Sequence, residues 1–539
     1  MSWTSRSVIA PLVAATLALG VLPVGAAPRV AEPPPWVAQE PPPGAAEEAA
    51  GQASPRATLI VNATVVDGTG AAGRRERVRI VGDTIAEVGN LTEANDDLVV
   101  DARGLTLAPG FIDTHSHADD DIFDHLDALA AVSQGITTVI VGQDGGSVCP
   151  LKRFFRRLGR RPAAVNVASY AGHGTIRSRV MKGDFRRPAT EDEIAEMGEI
   201  LQRELDAGAL GLSTGLEYDP GIYSAPQEVL ALARVAAAAG GRYISHIRSE
   251  DRDFWKAIDE IINIGREAHL PVQISHAKLA MRSSWGQSGR LLKVLDKARA
   301  SGVEITADVY PYLYWQSTLT VLFPKRDFEN RETAAFVLKE IAAPEGLRMS
   351  KFDPDPSYVG LTLEEIAARR GTDAVTTLID MIREAEKIRR SPEDEVEGVI
   401  GTSMDERDVE RLIAWPHSNI CTDGQLDGRH PRGFGTYPRV LGRYVRERKV
   451  IGFAQAIHKM SGLAADHMGI ADRGLVKAGM RADLVLLDPR TVLDRATMKD
   501  PHALSAGIDR VWVNGRLVFA DGCATGERPG QVITRSAAR

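Results

Sequence analysis

The sequence predicts an α/β protein with three parts: a TIM-like (β/α)8 barrel, a small β-sandwich built from both ends of the chain, and a helical insertion near the barrel mouth. Three observations lead to this prediction. Strand-like and helical segments alternate through the middle of the chain. Short β-branched strands with turn signals occupy both ends, and one charged, helix-rich segment interrupts the alternation.

The size and composition of the chain are those of a globular protein with a large core. It has 539 residues, of which 44% are hydrophobic and 25% charged, so a main domain and at least one accessory domain are expected. The net charge of -7 argues against a nucleic-acid reader, which normally carries a basic stripe.

The N-terminal segment 1–26 has the layout of a secretory signal peptide. Arg6 precedes an apolar run over 8–24, and small residues follow at 25–27. A membrane anchor is the alternative, because the run approaches the length of a spanning helix. Pro11 and Pro23 favour cleavage, so we expect an exported protein, periplasmic or secreted, with no membrane segment after cleavage.

A linker rich in Pro, Ala and Glu follows over 27–56, because such a composition cannot bury a core. The three cysteines, Cys149, Cys421 and Cys523, form no closely spaced framework of disulfides. A chain of this size can fold on its hydrophobic core without them.

The β-sandwich is predicted from segments 57–109 and 481–535. ATLIVNATVVDGTG, RVRIVGDTIAEVG and DLVVDARGLTLAPG each contain a short β-branched strand and a turn signal. ADLVLLDP, RVWVNGRLVFADG and a last strand near QVITR are their counterparts at the other end. Two β-rich ends around one long middle indicate a domain assembled from both termini.

The barrel is predicted over 110–480. Its strand-like segments lie at 137–142, 163–172, 208–215, 242–248, 271–278, 303–312 and 418–424, and helical stretches separate most of them. Thr190 is a candidate N-cap for one of these helices, with acidic residues in the first turn. The segment of about 322–399 contains no obvious barrel strand and is predicted as an insertion over the barrel mouth.

A pair of histidines, His115 and His117, ends the first apolar strand in APGFIDTHSHADD. Residues i and i+2 of a strand point to the same side, so both imidazoles can reach one metal ion. His246, His276 and Asp423 each lie at the polar end of a later strand. Because the C-terminal strand ends of a barrel converge at one mouth, these five residues form a ligand set that zinc accepts readily.

Together these motifs resemble the amidohydrolase superfamily and, within it, the N-acyl-D-amino-acid deacylase (D-aminoacylase) family. The resemblance covers about 57–522 and rests on PGFIDTHSH, QGITTVIVG, GALGLSTGLEYDPG, YISHIR, ISHAK, DVYPY, CTDG and HPRGFGTYPRVLGRYVRE. It implies a site of one or two zinc ions held by His115, His117, His246, His276 and Asp423. It also implies that Asp423 takes a proton from a metal-bound water and delivers it to the leaving amine.

The chain departs from the family at one metal ligand. The family usually has a cysteine within G-N-C-G after the second strand, where this chain has Gly142-Gln143-Asp144-Gly145. Asp144 is the first candidate for the bridging ligand, because a carboxylate also binds zinc, although it is harder than a thiolate. Glu217 is the second candidate and Cys149 the third. No lysine occupies the end of the fourth strand, which argues against a carboxylated-lysine site.

The resemblance also implies which residues bind the substrate. Lys278 and Arg432 are candidates to hold a substrate carboxylate. Tyr218, Tyr310 and Tyr312 are candidate hydrogen-bond donors to that carboxylate or to an oxyanion.

The expected reaction is therefore zinc-dependent hydrolysis of the amide bond of N-acyl-D-amino acids. The alternatives are a dipeptidase that cleaves peptides with a C-terminal D-residue and an amidohydrolase acting on another linear or cyclic amide. The absence of a strand-four lysine makes the cyclic amide less favoured.

Overall fold

The computed structural model describes residues 56–391 and 394–535. The predicted signal peptide 1–26, and the linker 27–56 apart from Arg56, lie outside the described residues. No helix in the described part of the chain is long and apolar enough to cross a membrane.

Eight parallel strands form the predicted barrel. Backbone hydrogen bonds close the ring between the first and last strands, because the Asp423 amide donates to the His115 carbonyl at 2.8 Å. The third and fourth strands meet where the Leu210 amide donates to the Ser169 carbonyl at 2.9 Å. The barrel strands are Phe111–Asp113, Ile136–Val141, Asn166–Ser169, Gly211–Gly215, Arg242–His246, Val272–Ile274, Ile305–Val309 and Ser418–Ile420. The predicted fold class is confirmed.

Helices follow the barrel strands and bury one face against them. The predicted cap of the helix Glu191–Asp206 is confirmed, because the Thr190 side chain accepts from the Glu193 amide in a reciprocal capping box. The other helices of the barrel are Leu129–Val132, Leu151–Arg160, His173–Met181, Pro226–Ala238, Phe254–Ala268, Ser288–Ala300, Glu406–Ala414, Arg432–Arg439, Phe453–Met460 and Gly462–Met468.

Strands from both ends of the chain form one nine-stranded sheet. Leu484 and Leu486 pack in a core that belongs to this sheet, whereas Val485 and Leu487 pack in the barrel core. This alternation follows from the two-residue period of a strand, and it attaches the sheet to the barrel. The strands are Thr58–Val65, Arg74–Val81, Thr84–Gly89, Leu98–Asp101, Thr106–Pro109, Leu484–Leu487, Ile508–Val513, Arg516–Ala520 and Cys523–Ala524.

The segment near QVITR does not join this sheet. Instead, Val532 forms an isolated parallel bridge with Val167 of the third barrel strand. The Ile533 amide donates to the Val167 carbonyl at 2.8 Å. The sequence placed this strand in the sandwich because a β-branched pair shows strand character but does not identify its partner.

The insertion forms a lobe with its own hydrophobic core. Its three strands, Tyr314–Ser317, Leu347–Phe352 and Glu397–Thr402, pair in an antiparallel sheet outside the barrel. The lobe therefore starts before residue 322, and it contains strands that its charged composition did not reveal. Its helices are Arg331–Phe336, Leu363–Arg370 and Ala374–Ile388, and Val337–Ile341 continues the first of these as a π-helix.

Candidate metal centre

Four histidines meet at the C-terminal end of the barrel. His246 ends its strand, while His115 and His276 each lie two residues beyond theirs. His246 Nδ1 and His276 Nε2 are 3.1 Å apart, and the His115 and His276 rings are 4.9 Å apart between centroids. The parallel strands therefore bring histidines that are far apart in the sequence into one cluster.

Asp144 lies between the two halves of this cluster. Its Oδ1 is 3.4 Å from His115 Nε2 and 3.3 Å from His276 Nε2. Its Oδ2 is 3.6 Å from His117 Nε2. Burial raises the pKa of Asp144, but the charges of His115 and His276 outweigh burial and hold it well below its ordinary value. Asp144 is therefore an anion placed among four imidazoles.

The loop before and after Asp144 depends on glycine. Gly142 has a φ of +74°, and a Cβ there would lie 2.3 Å from the Tyr170 carbonyl oxygen. Asp144 itself has a φ of +51°, in the left-handed region that few non-glycine residues adopt. Such a conformation costs free energy and is typical of residues held for function.

Asp423 faces the first histidine pair. Its Oδ1 is 3.2 Å from His117 Nε2 and 3.5 Å from His115 Nε2. Its Oδ2 forms an ion pair of 2.6 Å with Arg432 Nη1. Burial raises the pKa of Asp423, but the charges of Arg432 and His276 overcome it and lower that pKa below its ordinary range. Asp423 is therefore held ionised beside the histidines.

The other two candidates for a bridging ligand lie elsewhere. Glu217 Oε2 contacts His246 Nε2 at 3.0 Å, on the edge of the ring opposite His276. Cys149 is not in any group of clustered ligand atoms in the described residues. Burial and the neighbouring Glu204 raise the pKa of its thiol to about 11, so this cysteine is not a thiolate.

The donor set fits a metal ion. One group comprises His115, His117, Asp144 and Asp423, and a second comprises Asp144, His246 and His276, with the ligand atoms of each group within 4.8 Å of one another. Both ring nitrogens of His115 and Oδ1 of Asp144 are buried without a hydrogen-bond partner in the described structure. Buried polar atoms rarely lack a hydrogen-bond partner. A cation shared by these ligands would give such atoms a partner by coordination.

Lys278 reaches the second histidine group from the segment that follows the strand Val272–Ile274. Its Nζ donates to Glu250 Oε1 at 2.6 Å and lies 2.7 Å from His276 Nδ1. Burial raises the pKa of Glu250, but the charge of Lys278 outweighs it and lowers that pKa below its ordinary value. The predicted carboxylate-binding lysine therefore lies at the site, with Glu250 holding its ammonium group.

The three predicted tyrosines occupy different places. Tyr218 lines the cavity and packs on His246, with ring centroids 4.4 Å apart. Tyr310 lies beneath Arg432, whose guanidinium is 4.9 Å from the ring centroid. Tyr312 is fully buried and donates to the Pro431 carbonyl at 3.3 Å. Tyr312 therefore supports the loop of Arg432 and does not reach the substrate space, contrary to the prediction.

A cavity of about 870 Å³ opens above the histidines. The lobe contributes apolar side chains to it, including Trp315, Leu322 and Phe328. Arg326 of the lobe forms an ion pair of 2.7 Å with Asp219 of the barrel. The insertion therefore covers the barrel mouth and completes the wall of the site.

Sequence reasoning missed three carboxylates that hold these residues in place. Asp113 accepts the Thr422 amide at 2.8 Å and so fixes the turn before Asp423. Asp308 accepts the His276 amide at 2.5 Å, and Glu250 binds Lys278. The strand-end positions of Asp113 and Asp308 were a usable signal, because Asp113 ends its strand and Asp308 is one residue from the end of its own.

The comparison with protein families identifies the chain. The model of the amidohydrolase family matches residues 98–350 and 425–519. The chain belongs to the amidohydrolase family. This membership confirms the prediction of a metal-dependent hydrolase that acts on amides.

This amidohydrolase is similar to deacylases over nearly its whole length. It is 36% identical to a D-aminoacylase of Alcaligenes xylosoxydans xylosoxydans, over 89% of this chain and 98% of that protein. It is 37% identical to an N-acyl-D-glutamate deacylase of the same organism, over 88% and 95%. The crystal structure of N-acyl-D-glutamate deacylase from Bordetella bronchiseptica, complexed with zinc and a phosphonate mimic of the tetrahedral intermediate, matches with a TM-score of 0.79. That match has 36% identity and covers 89% of this chain and 99% of the other.

Proposed function

We propose that this amidohydrolase hydrolyses the amide bond of N-acyl-D-amino acids with zinc as its metal. The observation that carries the proposal is the position of Asp423, an ionised carboxylate 3.2 Å from His117 Nε2. A site that only bound a metal would not need a second buried carboxylate at this place. Its relatives include a D-aminoacylase and deacylases of N-acyl-D-glutamate and N-acyl-D-aspartate, which supports this choice of substrate.

His115, His117, His246 and His276, with Asp144 as the shared carboxylate, would hold the metal. Zinc bound there supplies a Lewis acid that polarises the amide carbonyl and lowers the pKa of a water molecule towards neutrality. Asp423 Oδ1 accepts the proton of the attacking water and returns it to the leaving nitrogen. Arg432 keeps Asp423 ionised, so that its carboxylate is free of a proton before the reaction.

Two cations and one hydroxyl of the chain bind and orient the substrate. Lys278 and Arg432 line the cavity beside the histidines and attract the α-carboxylate of an N-acyl amino acid. Burial, together with the charges of Asp144 and Glu250, raises the pKa of Tyr218 well above its ordinary value. Tyr218 therefore stays protonated and donates a hydrogen bond to the oxyanion.

Steady-state hydrolysis of a matched substrate panel by the zinc-loaded protein tests this function. The panel contains N-acetyl-D-amino acids, their L-enantiomers, dipeptides with a C-terminal D-residue and ring amides. We expect the highest kcat/KM for the N-acetyl-D-amino acids. Turnover of L-substrates alone or ring amides alone would contradict the proposal, and preference for the dipeptides would make the chain a dipeptidase.

We also propose that the chain is exported. The apolar run after Arg6 and the small residues that follow it support this location. Fractionation of cells expressing the full chain, with N-terminal sequencing of the product, tests it. Cleavage near residue 26 and recovery outside the cytoplasm are expected, whereas an intact N-terminus in the cytoplasm would contradict export.

A further inference from the structure

The metal centre of this chain contains no sulfur ligand. The clustered ligand atoms are imidazole nitrogens and carboxylate oxygens, and no cysteine belongs to any such group in the described residues. The residue at the middle of the cluster is Asp144, which offers Oδ1 towards His115 and His276 and Oδ2 towards His117. Oδ2 also lies 3.4 Å from His276 Nε2, so this one carboxylate faces histidines of both ligand groups.

None of the three cysteines can supply a thiolate to this cluster without rearrangement. Cys421 is buried beneath it, where its Sγ lies 3.2 Å from Asp308 Oδ1. The Cys421 thiol donates a hydrogen bond to this carboxylate, and its Sγ belongs to none of the groups of clustered ligand atoms. Cys149 lies apart from the ligand groups, and Cys523 is exposed in the terminal sheet.

We propose that Asp144 sets the metal selectivity of this centre, so that it accepts harder divalent ions such as Mn²⁺ and Co²⁺ alongside Zn²⁺ and disfavours the thiophilic ion Cd²⁺. Thiolates select soft metals, whereas carboxylates suit harder ones and imidazoles accept most first-row ions. A site of four imidazoles and two carboxylates lacks a thiolate, which is the ligand that would make it bind Cd²⁺ more tightly than Zn²⁺. This inference rests on the role of Asp144 as a metal ligand in the proposed function.

The backbone of the loop fixes the position of residue 144, so the side chain at this position decides which donor atom faces the histidines. Gly142 and Gly145 have φ angles of +74° and +78°, and a Cβ at either would meet backbone atoms within 3.0 Å. The loop therefore holds residue 144 at one place between the histidines. We therefore expect a change of side chain at this position to change the donor atom without moving the backbone of the loop.

Competition of the metal-free full chain with a chromophoric chelator, titrated with Mn²⁺, Co²⁺, Zn²⁺ or Cd²⁺, tests the proposal. The wild type is compared with Asp144→Cys, Asp144→Ala and the control Asp120→Cys, which places a thiol in the cavity lining instead of at the centre of the cluster. We expect Asp144→Cys to raise the ratio of Cd²⁺ to Zn²⁺ affinity on the order of tenfold or more, because a thiolate replaces a carboxylate. Only this variant should show a thiolate-to-cobalt charge-transfer absorption.

Several outcomes would overturn the inference. One is a wild type that binds Cd²⁺ more tightly than Zn²⁺, and another is an Asp144→Ala variant, folded by circular dichroism, with unchanged affinity for every metal. A charge-transfer absorption in Asp120→Cys equal to that of Asp144→Cys would also overturn it. If the predicted metal order is found but no N-acyl amino acid is hydrolysed, the inference stands and the proposed substrate is wrong.

Discussion

Glu217 Oε2 lies 3.0 Å from His246 Nε2, while Nδ1 of the same ring faces His276 Nε2 at 3.1 Å. The carboxylate therefore contacts the edge of the imidazole that points away from the histidine cluster. A metal-binding histidine usually donates its other N–H to such a carboxylate, which fixes the tautomer and the orientation of the ring. From this contact we infer that Glu217 positions His246 and is not the bridging ligand.

The first prediction concerns this positioning role. Glu217→Ala should lower the affinity for zinc about 10- to 100-fold, because His246 loses the group that orients it. Glu217→Gln should lower the zinc affinity less than Glu217→Ala, since the amide oxygen of glutamine can still accept a hydrogen bond from His246 Nε2. Chelator competition measures both affinities. X-ray absorption that shows one oxygen ligand fewer in the Ala variant would mean that Glu217 binds the metal directly.

The second prediction concerns the carboxylate of the substrate. Lys278→Met should raise KM for an N-acyl-D-amino acid about 10- to 100-fold, because a hydrogen bond between charged groups is lost. An N-acyl amine that lacks the carboxylate serves as the control, and its kcat/KM should change little. Metal content is measured in parallel, because Lys278 Nζ is 2.7 Å from His276 Nδ1. Equal losses on both substrates would exclude a role in binding the carboxylate.

The third prediction concerns the stability of the lobe. Burial raises the pKa of Glu397 from 4.5 to about 7, although the Leu319 amide and Arg389 oppose the shift. Between these two pH values the folded protein binds a proton that the unfolded chain has released. Stability from this group is therefore fully present below about pH 4.5 and is lost as pH rises through about 7.

Urea unfolding of the wild type and of Glu397→Gln across this pH range measures the effect. The wild type should lose stability with rising pH, and the variant should lose less. Glu395→Gln is the matched control, because Glu395 is exposed two residues away and should leave the pH dependence unchanged. The account of Glu397 would be wrong if both variants kept the wild-type slope.

The sequence predicted best the placement of those candidate ligands whose position the fold itself determines. His246 and Asp423 come from distant segments, yet the parallel strands of a barrel bring their C-terminal ends to one mouth. The two-residue period of a strand assigned His115 and His117 to one face, and both do meet Asp423, although they lie beyond the end of Phe111–Asp113. These predictions needed only the order of the strands and no knowledge of side-chain contacts.

Other features of the site and of the fold depend on tertiary contacts that the local sequence pattern does not reveal. The binding of Lys278 by Glu250 depends on a loop conformation, and the hydroxyl of Tyr312 donates to the Pro431 carbonyl. The pairing of Val532 with Val167 joins positions far apart in the chain. In each case a tertiary partner, and not the local pattern, decided where the residue lies.

The most direct test of the account is the metal content and turnover of Asp423→Asn. The control is Asp427→Asn, a change at an exposed aspartate in the following loop. We expect Asp423→Asn to keep its zinc, because the four histidines and Asp144 still hold the metal, but to lose about 10²- to 10⁴-fold in kcat on an N-acetyl-D-amino acid, because the proton acceptor is gone. The control should retain wild-type turnover. An Asp423→Asn protein with full zinc and wild-type kcat would contradict the role of Asp423 and the mechanism built on it.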